Sequence, residues 1–214
     1  MTPPPSILAA VALLTCVTAP AGAQNLMLSA AVQRDLQRFP EGDVPARLDG
    51  WATGWKAVAG VRLRSHLALA LEWSDAGTIE DARTTALDIN GRTVAINSTF
   101  RHRTRTAAAL GGYSHRLWSR VRVAGLAGLA STQVRRDFAS NAPGVVLVGP
   151  SDASPPGRSS LVDRWWGMTG GVDAVVRIRW RLHAVAGVRA QKITLPPDVS
   201  GWSVRTFVGA GWEL

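Results

Sequence analysis

The sequence predicts an all-β protein: eight antiparallel strands closed into an up-and-down transmembrane barrel, with short turns at one end and long loops at the other. Three observations predict it. Apolar and polar residues alternate with a period of two through most of the chain. The connections between such stretches are by turns short and long. Nine tryptophans stand against a single tyrosine, and they fall toward the strand ends, where an amphipathic indole settles in a membrane.

The first 23 residues are set apart from the barrel. Ile7 to Leu14 is an apolar run, and Ala21-Gly22-Ala23 is a small-x-small site before Gln24. That combination predicts a signal peptide, 1–23, removed on export. The run is too short to cross a bilayer as a helix. Cys16 in Leu13-Leu14-Thr15-Cys16 offers a lipoprotein anchor as an alternative. Cleavage after Ala23 removes the only cysteine, so the domain 24–214 rests on strand pairing and packing without disulfides.

Strands are predicted at about 25–36, 51–63, 67–78, 97–113, 119–136, 163–179, 181–194 and 202–214. Turns of a few residues join the second to the third, the fourth to the fifth and the sixth to the seventh. Long loops are expected at 37–50, 79–96 and 137–162, with a shorter link at 195–201. The third loop carries Ala142-Pro143-Gly144 and Ser154-Pro155-Pro156-Gly157, which is loop chemistry.

In the third strand Leu67, Leu69, Leu71 and Trp73 oppose Ala68, Ala70, Glu72 and Ser74. In the sixth, Met168, Val172, Val176 and Ile178 oppose Thr169, Asp173 and Arg177. In the last, Trp202, Val204, Val208, Trp212 and Leu214 oppose Ser203, Arg205, Gly209 and Glu213, with Phe207 the one large apolar exception. The fifth strand is blurred around Val121 to Leu129, which suggests a bulge or kink. Two aromatic belts follow: Trp51, Trp55, Trp73, Trp165, Trp166 and Trp202 near the long loops, and Trp118, Trp180 and Trp212 near the short turns.

The last eight residues, Phe207 to Leu214, resemble the assembly signal that ends bacterial outer-membrane barrels; Gly209, Trp212 and Leu214 carry the match, while Phe207 stands where that signal has a polar residue. The domain 24–214 as a whole resembles the small eight-stranded outer-membrane proteins, the OmpX-like, OmpW-like and OmpA-barrel-like families. The resemblance implies a bacterial outer-membrane location, lipid and lipopolysaccharide as surroundings, and the barrel-assembly machinery as a partner in biogenesis. No peptidoglycan-binding segment follows, so an anchoring role is not expected. These families include adhesins, solute pores and lipid-modifying enzymes, and fold alone does not choose among them.

The formal net charge is +9, nearly all from arginine. Such a balance can signal nucleic acid, but an exported chain is not expected to meet any. The expected charge cluster lies in the lumen: Lys56, Arg62, Arg101, Arg103, Arg105, Arg177, Arg189 and Arg205, with Glu72, Asp173 and Glu213 as the acids. Arginine suits a polar plug because its planar fork bonds two carboxylate oxygens at once. A plugged, arginine-rich barrel with a structural or surface-interaction role is the leading expectation, and a narrow anion or small-solute channel the first alternative. In the run Arg101 to Arg105 the arginines are assigned inward, leaving His102 and Thr104 outward. That pair resembles the His-x-Ser of outer-membrane lipid A deacylases with threonine for serine, which makes a lipid A-modifying enzyme a second alternative. His66, His115 and His183 share the short-turn end, but their spacing specifies no metal site. No catalytic, cofactor or metal residue is expected. A soluble periplasmic lipocalin-like barrel is a third alternative and needs an apolar interior.

Overall fold

The computed structural model describes residues 25–38, 50–63, 66–89, 92–141, 158–195 and 199–214. The expected signal peptide lies outside them, as do most of the 37–50 and 137–162 loops. Eight strands follow in chain order: β1 (Asn25–Arg38), β2 (Gly50–Leu63), β3 (Leu67–Ile89), β4 (Arg92–Arg116), β5 (Val121–Ser140), β6 (Arg158–Arg179), β7 (Leu182–Leu195) and β8 (Val199–Glu213). Each pairs antiparallel with its neighbours, and β1 pairs with β8 from Met27 opposite Glu213 to Arg38 opposite Trp202. The sheet is a closed barrel.

Side-chain parity follows from the pleat: neighbours along a strand face opposite sides. Leu69, Val172 and Val208 stand on the outer wall and are 49%, 47% and 64% exposed. Gln33, Lys56, Glu72, Arg189 and Arg205 are buried inside. An apolar exterior around a polar interior is the inverse of a lipocalin-like barrel. Seven tryptophans are exposed: Trp51, Trp55, Trp166 and Trp202 toward the long-loop side, and Trp118, Trp180 and Trp212 toward the short-turn side. Trp73 shares their outward parity, half-buried.

Trp165 is a correction. It carries the inward parity of β6, with Asp163 and Thr169, while Trp166 and Met168 face out. Two consecutive residues of a strand cannot both join an outer belt.

The strands are longer than the alternation predicts. The expected 79–96 loop is mostly strand, since β3 and β4 continue to Ile89 and from Arg92. A tilted strand needs about 9–11 residues to cross a bilayer. With 23 residues in β3, 25 in β4, 20 in β5 and 22 in β6, this half of the barrel projects well beyond that height. The lipid-facing signal was lost because the outward face of the projecting part is polar, while apolar residues such as Ile96 and Phe138 are buried on the inward face. Arg101 bonds Glu80 through two nitrogens at 2.9 and 3.1 Å, and Thr84 bonds Asn97 at 2.8 Å.

One bulge shapes the transition. Between Asp75 and Thr78 strand β3 advances three residues while β4 advances two, from Arg105 to Arg103. The extra residue reverses the parity of β3 above it. Gly77 takes φ +84°, and a Cβ there would fall 2.2 Å from the Thr53 carbonyl oxygen. Across the strand pair, a Cβ on Gly54 would fall 1.9 Å from the Asp75 carbonyl oxygen. Both must be glycine for β2 to pass the bulge.

Gly77→Ala is expected to destabilise the barrel by at least about 1–3 kcal/mol through backbone strain. Gly125→Ala, whose new Cβ meets nothing within 4 Å, should leave stability unchanged. Urea unfolding in detergent micelles, followed by tryptophan fluorescence, compares the two.

Candidate functional site: the charged lumen

The interior is layered. Toward the short turns, small apolar side chains fill it: Ala70, Ala108, Leu110, Ala124, Leu126 and Ala130 form one cluster on β3, β4 and β5. Val175, Val185 and Phe207 form a second on β6, β7 and β8. The central layer is ionic. Lys56 Nζ donates to Glu72 Oε2 at 2.8 Å. Arg189 Nη2 donates to Asp173 Oδ2 at 2.9 Å, and Nη1 donates to Oδ1. Arg189 Nε also lies 3.2 Å from Glu72 Oε2, an ionic contact outside hydrogen-bond geometry. Arg205 donates to Ser74 Oγ at 2.7 Å and to Gln191 Oε1 at 2.9 Å, and its guanidinium lies 3.9 Å from Glu72.

These contacts cross the barrel. Glu72 is on β3 and Arg189 on β7, half the circumference away. Gln191 of β7 donates to Thr132 of β5 at 2.5 Å. One level higher, Gln37 of β1 donates to Thr104 of β4 at 3.1 Å and to Asp35 at 3.0 Å. Ser203 donates to Asp35 at 2.7 Å. An eight-stranded barrel is just wide enough for its side chains to fill, and here they meet in the middle.

Phe207, which breaks the alternation of β8, belongs to this site. Lys56 Nζ lies 3.3 Å from its ring centroid and the Arg189 guanidinium 5.4 Å away. A desolvated cation over an aromatic face gains about 2 kcal/mol. Lys56 and Arg189 share Glu72 and Asp173, Arg205 lies between Glu72 and the field of Asp35, and the ring adds negative potential beside Lys56 and Arg189.

The structure brings Lys56, Glu72, Asp173, Arg189 and Arg205 together. It leaves Arg62 and Arg177 at the short-turn mouth, with Arg62 3.8 Å from Glu213. Arg101, Arg103 and Arg105 require a correction: they face outward. Asp75 accepts from Arg103 at 2.5 Å and from Arg105 at 3.1 Å on the outer wall. His102, Thr104 and Thr106 carry the inward parity and are buried. Below this run, Thr106-Ala107-Ala108-Ala109-Leu110-Gly111-Gly112 has no alternation to set the phase. The phase comes from the β3 register, which puts Leu67 opposite an outward Tyr113. Arg105 stands opposite Asp75, just past Trp73 and above the apolar part of the wall, where an exposed charge costs little.

The reversal also moves the histidine pair. His102 Nε2 lies 3.0 Å from Gln37 Oε1 inside the lumen, so His102 and Thr104 present nothing to an acyl chain. His66 stacks on Tyr113 at 5.1 Å and on His115 at 6.4 Å. His183 instead meets Glu213 at 3.0 Å. Among the described residues no group of three His, Cys, Asp or Glu side chains could hold a metal ion.

Sequence reasoning missed the β1 part of the polar layer, Gln33, Asp35 and Gln37. Its signal was present in β1, where Gln33, Asp35 and Gln37 alternate with Val32, Arg34 and Leu36.

No protein-family model and no curated protein matches this chain. Solved structures do. Neisserial surface protein A superposes with a TM-score of 0.51 at 15% identity, covering 90% of this chain and 100% of that one. A major outer membrane protein from Thermus thermophilus gives 0.52 at 11% identity, again covering 90% and 100%. At these identities the likeness is one of fold: this chain has the eight-stranded closed-barrel architecture found in outer-membrane proteins.

Glu72→Ala is expected to cost about 3–5 kcal/mol, because Lys56 is left buried without its carboxylate. Glu80→Gln, in the half-exposed pair with Arg101 on the outer wall, should cost about 1 kcal/mol or less. Urea titration of the refolded barrel in micelles measures both.

Proposed function

We propose that the protein is an integral barrel of the bacterial outer membrane with a plugged lumen, and that its projecting strands and loops are a surface for interaction. The cross-lumen network carries this reading. Arg189 of β7 meets Glu72 of β3 across the wall, Gln37 of β1 bonds Thr104 of β4, and Gln191 of β7 bonds Thr132 of β5 over one intervening strand, and each occupies space that a passage would need. The ionic groups form one connected network around Glu72, which stiffens the plug.

The exterior supports the location. Its exposed apolar residues lie between two sets of outward tryptophans, as lipid and its two headgroup levels require. Lipid and lipopolysaccharide are the surroundings proposed for this wall. Export would proceed through cleavage of residues 1–23, and assembly through recognition of Gly209, Trp212 and Leu214 by the barrel-assembly machinery. The role proposed is not catalytic. The extensions of β3 to β6 support an interaction surface, because their exposed polar faces and ion pairs lie well above the apolar wall.

The refolded protein in planar bilayers is expected to pass no steady current. A stable open conductance that falls on Arg189→Ala would overturn the plug. Flotation of the protein with outer-membrane vesicles, together with a heat-modifiable gel shift, is the expected sign of location and closure. Recovery in the soluble periplasmic fraction would overturn both.

A further inference from the structure

The short-turn mouth differs from the rest of the molecule in how its arginines are partnered. In the lumen Arg189 and Arg205 reach carboxylates. On the outer wall Arg101, Arg103, Arg105 and Arg135 each meet Glu80, Asp75 or Asp137. At the mouth, Arg116, Arg120, Arg122 and Arg177 line a small open cleft with Ser119 and His183. Among the described residues, none of these four arginines has a carboxylate within 4.0 Å. Glu213, the acid whose field reaches Arg122, is already engaged by His183 at 3.0 Å and by Arg62 at 3.8 Å.

The fold holds this cluster in place. Arg122 lies opposite Val175 in the β5–β6 register, and the Arg177 amide donates to the Arg120 carbonyl oxygen at 2.8 Å. Arg116 is drawn over the turn by bonds to the carbonyl oxygens of Trp118 and Ser119, at 3.3 and 2.6 Å. Four guanidinium groups around one small cleft repel one another until an anion enters. Their planar forks match the oxygens of a phosphoryl group better than they match a monatomic ion. The flanking Trp118 and Trp180 are 68% and 78% exposed, and outward indoles of this kind sit at headgroup depth. Phosphate groups are therefore available at this level, on lipids or free in solution.

We propose that the short-turn mouth is a binding site for a phosphoryl anion, held by Arg120, Arg122 and Arg177 with Arg116 at its edge. This does not depend on the lumen being plugged. The test uses the full barrel at constant ionic strength, with arginine Nε–Hε NMR signals as the readout. One arm titrates inorganic phosphate into protein in zwitterionic micelles. The other compares nanodiscs of phosphatidylcholine with nanodiscs containing phosphatidic acid. Saturable shifts of the mouth arginines are expected in at least one arm. A response to phosphate alone identifies a soluble ligand, and a response to phosphatidic acid alone identifies a lipid headgroup.

The double variant Arg122→Gln/Arg177→Gln should weaken binding at least tenfold. Arg101→Gln/Arg103→Gln at the opposite end should stay within twofold of the wild type. If the first variant fails to give the heat-modifiable folded form, Arg122→Lys/Arg177→Lys keeps the charge and removes the forks; at least threefold weaker binding is then expected. No saturable shift in either arm, equal weakening in the two glutamine variants, or undiminished binding by the lysine variant would overturn the proposal.

Discussion

Closure between β1 and β8 is the constraint from which the rest of the structure follows. A strand edge facing hydrocarbon leaves backbone donors and acceptors without water, at several kcal/mol for each group. The seam from Met27–Glu213 to Arg38–Trp202 removes that edge. Closing after only eight strands makes the barrel narrow. Every residue of the inward parity is then committed to a small shared volume, whatever its chemistry.

That commitment explains the division of the interior. Toward the short turns, alanines and medium-sized apolar residues on facing strands fill the space without polar cost. In the centre, long side chains reach across and bond with one another, because a buried ion without a partner costs more than packing can return. Lys56 shows the limit of this solution. Glu72 is shared among three cations, and the face of Phe207 completes the environment of the ammonium. An aromatic ring is thus part of an ionic cluster while also packing with Val175 and Val185 in the layer below.

The exterior follows a different rule, since water and headgroups can solvate what the lumen cannot. Above the apolar wall the arginines of β4 pair with acids of β3. A half-exposed pair such as Arg101 with Glu80 is individually weak. The Asp75–Thr78 bulge makes this pairing possible. It reverses the phase of β3, so that Glu80 comes to face Arg101 on the outside. At the opposite end, Arg120, Arg122 and Arg177 have no acid within 4.0 Å among the described residues. The two ends of one basic barrel are therefore chemically distinct.

The sequence by itself determined the strand number, the order, the closing strand and the outward face wherever apolar residues recur at every second position, as at Leu67–Trp73, Met168–Ile178 and Trp202–Leu214. Parity there is dictated by solvent preference, a local property of the chain. The same reasoning failed where the local signal vanishes. The alanine and glycine run at 107–112 carries no phase, so the outward turn of Arg101, Arg103 and Arg105 had to come from pairing with β3. The Trp165-Trp166 pair satisfies a belt in either phase, and only the neighbouring Met168 and Val172 decide between them. The long strands beyond the apolar wall lack a lipid-facing apolar stripe because their outward face is polar, while Ile96 and Phe138 are buried on the inward one. The contacts of Glu72 with Arg189 and Arg205 and the place of Phe207 beside Lys56 were set by barrel closure. They join residues on strands that are distant in the chain and become neighbours only once the wall is complete.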